Sequence, residues 1–170
     1  MSLTFSRRSF LKYTAVAAVA VAGSSLLTGC GDNPYQPVGA FGKELKIMGT
    51  FTAENPTYTG TTFACDMSIK CTSNNNLCVD NTVFQLTVTD TNGVEKNYTR
   101  NSITLSEEKY DLSKDDKAFT PTVTIVGVDI PEGATVEFLY FPRKYSSTGN
   151  NSLIRAYATW KGTYKNGKIE

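Results

Sequence analysis

The chain contains no histidine and a single tryptophan, Trp160, in 170 residues. Without histidine, Ser-His-Asp and Cys-His nucleophile systems cannot be assembled. The commonest ligand for zinc, copper and haem iron is also missing, so neither a metal nor a cofactor is expected. Charge of one sign is lacking too: 17 Lys and Arg face 16 Asp and Glu. No basic stripe of the kind that binds phosphate backbones is present, and a nucleic-acid partner is not expected. The longest weakly apolar stretch, residues 13–27, is about fifteen residues long, short of the roughly twenty that span a bilayer. Long helical periodicities and repeats of 20–50 residues are absent as well.

What is present begins at the N-terminus. Ser6, Arg7, Arg8, Ser9, Phe10, Leu11 and Lys12 match the twin-arginine export consensus. A run of Ala and Val follows, as in a secretory leader. Leu27, Thr28, Gly29 and Cys30 then match a lipobox, at which Cys30 receives a diacylglycerol. Residues 1–29 are therefore expected to be a signal peptide that is removed. Each buried CH₂ of an acyl chain contributes about 0.8 kcal/mol, and two or more chains hold a protein on the bilayer. Loss of Arg7, Arg8 and Lys12 with the leader takes the formal net charge from +1 to −2.

The remaining 141 residues suit one domain. Residues 30–43, with two prolines and three glycines, read as the lipidated cysteine and a flexible tether. Residues 44–170 are rich in Thr, Val, Tyr and Phe, which favours strands. Leu45, Ile47 and Phe51 share one face of a first strand, ended by Asn55 and Pro56. Phe63, Cys65, Met67, Ile69 and Cys71 alternate with small or polar residues, a period of two that buries one face. Residues 73–76 form a turn. A strand over 77–89, or two broken near Asp80 and Asn81, leads into the turn Asp90, Thr91, Asn92 and Gly93, which returns residues 94–99 antiparallel. Residues 106–117 are charged and irregular. Strands resume over 119–128, 134–141 and 153–163. Seven to eight strands in this span predict an all-β, antiparallel sandwich, with a small barrel as the alternative. Trp160 is expected in its core.

Three sets of residues invite chemistry. Cys71 and Cys78 flank the 73–76 turn, and a tight hairpin there would set them opposite each other, within reach of a disulfide. The alternatives are three small buried thiols, counting Cys65, or redox and metal chemistry. Asp111, Asp115 and Asp116 suggest calcium, but no glycine turns their loop and Lys114 and Lys117 offset the charge. A solvated loop is the better reading. Phe138, Leu139, Tyr140 and Phe141 make both faces of one strand apolar: it is either a central strand covered on both sides, the better reading, or one whose Leu139 and Phe141, with the nearby Tyr145, form a candidate binding patch for glycan stacking or protein docking. Nothing marks a catalytic carboxylate pair.

The order of these pieces carries a resemblance. The leader and tether are followed by the strand from Phe63 to Ile69 running into an Asn-rich turn. Phe84 and Leu86 then precede the Asp90–Gly93 turn, and Ile130, Pro131 and Gly133 precede the strand reaching Phe138. This resembles the immunoglobulin-like domains of uncharacterised Gram-positive cell-surface lipoproteins, across residues 44–163. The polar insert at 143–151 departs from their compact ending. The resemblance implies a fold and a location, with no catalytic residues to carry over. The expected function is a non-catalytic binding or interaction module, lipid-anchored on the extracytoplasmic face of the cell membrane, with a protein or glycan partner. The alternatives are an accessory subunit of an exported enzyme complex and a carboxylate-based cell-wall hydrolase.

Overall fold

A computed structural model describes residues 35–147 and 156–170. The leader residues Arg7, Arg8, Phe10 and Leu11, together with Cys30, lie outside the described residues. In chain order the strands are β1 (Val38–Ala40), β2 (Leu45–Lys46), β3 (Gly49–Thr59), β4 (Thr62–Cys71), β5 (Leu77–Val79), β6 (Phe84–Thr89) and β7 (Glu95–Tyr98). They continue as β8 (Ile103–Leu105), β9 (Lys109–Leu112), β10 (Thr122–Val126), β11 (Thr135–Tyr140), β12 (Arg143–Lys144), β13 (Ala158–Lys165) and β14 (Lys168–Ile169). The described residues are all-β, with two one-turn 3₁₀ helices at Asn81–Val83 and Arg100–Ser102.

Two sheets face each other. The first has the order β1-β13-β11-β6-β7, with β14 paired to β13; the second has the order β2-β3-β4-β10-β8. A small third sheet, β12-β5-β9, closes one end. The pairings are antiparallel except that β1 runs parallel to β13, Val38 beside Thr159. The period of two dictates the inner faces. Phe63, Cys65, Met67, Ile69 and Cys71 of β4 are at most 1% exposed. Opposite them, Val136, Phe138 and Tyr140 of β11 are fully buried.

Phe138 ties the two sheets together. Its ring stacks on Phe84 at 5.7 Å, meets Phe63 of the opposing sheet at 5.9 Å and Trp160 at 6.3 Å. Tyr140 continues the seam, edge-on to Phe51 of the opposing sheet at 4.9 Å. Trp160 is in the core as expected, and its indole N–H donates to the Lys43 carbonyl at 2.9 Å. That bond satisfies the one polar atom of a fully buried ring.

Several sequence expectations are corrected. Residues 35–43 are not a flexible tether: β1 joins the first sheet, the Gly42 amide donates to the Ala53 carbonyl at 2.7 Å, and Trp160 holds Lys43. Backbone groups that pair with a sheet outweigh the prolines and glycines that suggested a linker. Asn55 and Pro56 do not end the first strand. They form a bulge in β3, with Asn55 at φ 50° and its side-chain amide donating to Asp66 at 3.1 Å. A bulge is where a strand tolerates the missing N–H of proline. The first strand also breaks at Met48, φ 57°, giving β2 and β3. Residues 106–117 are not wholly irregular, since they contain β9.

The turn at residues 90–93 forms as expected. The Asp90 carboxylate accepts from the amides of Asn92 and Val94 at 2.8 and 2.9 Å, and Gly93 takes φ 81°. Replacing Phe138 by Ala is expected to lower unfolding free energy by about 3–5 kcal/mol. Val94→Ala, at a side chain that is largely exposed, should change it by less than about 0.5 kcal/mol. Urea titration of the Cys30→Ser protein measures both.

Candidate functional site

The cysteine hairpin of the sequence reading does not form. Both edges of β4 are occupied, by β3 and β10, so β5 has no place beside it and moves to the third sheet. Cys71 is opposite Gly49, whereas Cys78 is opposite Arg143. Cys65, Cys71 and Cys78 are thiols and buried, and no disulfide joins Cys71 to Cys78. Cys71 Sγ donates to the Asn75 carbonyl at 3.3 Å. Burial pushes the Cys65 thiol well up, and the neighbouring Asp66 adds to it. A thiol held neutral and away from solvent is a poor nucleophile.

Cys78 belongs to a polar cluster that the sequence did not reveal. Arg143 pairs with the Asp80 carboxylate and donates to Cys78 Sγ at 3.0 Å and to the Thr82 hydroxyl at 3.0 Å. Asp80 also accepts from the Thr82 amide at 2.8 Å and from its hydroxyl at 2.5 Å. Both charged side chains are largely buried, 12% exposed for Asp80 and 17% for Arg143. Burial alone would favour neutral Asp80, but the bonds from Thr82 and the Arg143 charge outweigh it and hold the carboxyl below its ordinary range. Burial raises the Cys78 thiol, against the pull of Arg143. Sixty-odd residues separate the partners, and no local pattern links them. The cluster fastens β12 to the segment following β5 and so holds the third sheet on the end of the sandwich.

The candidate patch is divided. Leu139 lies on the outer face of the first sheet, half-buried, in register with Gln85 and Thr159. Around it runs a polar ladder. The Gln85 amide donates to Thr87 Oγ1 at 3.1 Å and to Asn97 Oδ1 at 2.9 Å; the Thr87 hydroxyl donates to Asn97 Oδ1 at 2.6 Å. Asn97 in turn donates to Glu95 at 2.8 Å. On the same face, Glu137 pairs with Lys161 at 2.5 Å. Phe141 has left the strand and packs on Tyr157 at 5.3 Å. Tyr145 is 39% exposed, and its amide donates to Asn76 at the end of the sandwich. Leu139, Phe141 and Tyr145 are therefore not one aromatic surface. The former supports a polar sheet face; the latter belong to an end.

At that end lies an open, mostly apolar groove of about 510 Å³ lined by Tyr35, Lys46, Ile47, Met48, Thr72 and Ala156, among others. Tyr35 is 66% exposed. Of the acidic residues considered for calcium, Asp116 instead caps its own turn, accepting from the Ser113 amide at 2.7 Å, and Asp111 pairs with Lys109 at 3.5 Å.

Residues 4–24 match the family model described as the TAT (twin-arginine translocation) pathway signal sequence. The chain thus carries a twin-arginine export signal and is exported across the cytoplasmic membrane. Neither the curated proteins nor the solved structures contain a match to this chain.

Two measurements check this geometry. Native Cys30→Ser protein should resist a thiol reagent, and three thiols should react once it is unfolded. Asp80→Asn should lower stability by about 2–3 kcal/mol at neutral pH, between the values for exposed and fully buried pairs. Because the folded carboxyl titrates below the unfolded one, its contribution is complete above about pH 4. It is lost as pH falls through the lower folded value, so the difference between the two proteins in urea titrations should shrink as pH is lowered below about 4.

Proposed function

We infer that the mature protein is a lipid-anchored, extracytoplasmic binding or interaction module built on an immunoglobulin-like sandwich. The observation that carries the placement is the export signal, matched over residues 4–24, with the lipobox cysteine Cys30 directly behind its apolar run. The strand order supports the immunoglobulin-like reading. In such domains strands A-B-E-D face G-F-C; here β3-β4-β10-β8 occupies the first set of places in that chain order, and β13-β11-β6 the second. The domain lacks the inter-sheet disulfide of antibody domains, and the Phe138 seam fills that position in the core instead.

The outer face of the first sheet is the surface best suited to a partner. Its Gln85, Thr87, Asn97 and Glu95 side chains are already tied to each other, so they lose little freedom on binding. Amide and hydroxyl groups in a row beside Leu139 suit a polar ligand with an apolar face, such as a glycan or an extended peptide. The role is presentation: export delivers the folded domain, the acyl chains confine it, and the sheet face meets its partner.

Mass spectrometry of the membrane-extracted protein should find diacylglycerol on Cys30. Cys30→Ser should move the protein from the membrane to the soluble extracytoplasmic fraction. Retention of that variant in the membrane would overturn the anchor. A glycan and peptide panel tests the module: binding without turnover, weakened in Asn97→Ala, is the expected result.

A further inference from the structure

The structure shortens the link between the domain and the lipidated cysteine. The Tyr35 carbonyl already accepts from the Tyr157 amide at 2.9 Å, and the Pro37 carbonyl from Thr159 at 3.0 Å. Four residues separate Cys30 from Tyr35. Fully extended, that stretch covers about 18 Å, less than the roughly 25–35 Å of β3, β4 and β13. A domain on so short a lead has one end close to the headgroups.

That end is identifiable. β1 starts beside Thr159 at the beginning of β13, which is also the end of β11 and the start of β6. The Met48 corner is at the same end: its carbonyl accepts from Thr72, and the groove joins Tyr35 and Ala156 to Met48 and Thr72. From Thr72 the chain leads to Asn76, which binds the Tyr145 amide. Two exposed tyrosines, Tyr35 and Tyr145, and a half-buried methionine thus surround the entry of the chain. Tyrosine is enriched where protein meets the bilayer–water interface, its ring in the headgroups and its hydroxyl wet.

We propose that this end of the sandwich, with Tyr35, Met48 and Tyr145 at its rim, rests on the lipid headgroups of the membrane that holds Cys30. The proposal rests on the anchored reading above. The bilayer then covers the open apolar groove. The 90–93 turn points away from it, and the polar face of the first sheet stands upright and accessible. Anchor and docking surface act together, because the acyl chains hold the groove at a high effective concentration of lipid.

The test uses the full mature protein, purified from its native host with detergent and reconstituted in phosphatidylcholine–phosphatidylglycerol vesicles. Nitroxide labels are placed in three variants: Lys46→Cys at the groove, Asn92→Cys at the far turn and Lys161→Cys on the sheet face. The three internal cysteines are at most 1% exposed and should not take the label. Collision with a nickel chelate tethered to lipid headgroups should be at least about fivefold more frequent at position 46 than at 92, since a six-residue strand puts roughly 20 Å between them. Position 161 should fall below position 46. Equal collision at all three sites in protein that floats with the vesicles would overturn the docking alone, as would a maximum at position 161. Protein that does not float and carries no lipid on Cys30 would overturn the anchor and the docking together.

Discussion

Everything in this domain depends on the contact of Phe138 with both sheets. β11 is the middle strand of the first sheet, and Phe138 is its central inward residue. Phe84 and Trp160 flank it within the sheet, and Phe63 meets it from across the core. A sheet has one apolar face to bury, and two such faces packed together satisfy both. With no disulfide among the described cysteines, aromatic packing does the joining. Large rings suit the task because each buries much area while losing little side-chain freedom.

The second constraint is at the edge. β1 is only three residues long, yet it pairs in parallel with β13 and fixes where the chain enters the domain. Its place brings residues 35–43 into the fold. Trp160 reinforces it by donating to Lys43, so the core and the entry are linked through one side chain. The chain is therefore held from Tyr35 onward, where the prolines and glycines suggest a free linker.

The end of the sandwich is organised by charge rather than by apolar packing. Asp80 and Arg143 come from segments far apart in the chain and meet where water is largely excluded. Such a pair contributes little net stability compared with apolar packing, but breaking it leaves one charge stranded. Its effect here is positional. It sets β12 against β5 and thereby shapes the end that carries Tyr145.

Local pattern was enough for some of these features and not for others. The alternation from Phe63 to Cys71, the turn at residues 90–93 and the burial of Trp160 were legible, because each depends on a few neighbouring residues; the break near Asp80 was one of two readings that local pattern left open. The leader was legible because it is read as a linear string by the export machinery. The bulge at Asn55, the docking of residues 35–43 and the separation of Cys71 from Cys78 were not. Each depends on which strand edge is vacant, and that is known only when all strands are in place. β4 has both edges filled, so the short strand after it could not fold back as a hairpin. The Asp80–Arg143 pair and the division of Leu139 from Tyr145 have the same origin. The linear motif of the leader determined that this chain would be exported, and composition and periodicity that its domain would be all-β; long-range pairing alone decided which polar groups meet and at which end of the sandwich residues 35–43 enter.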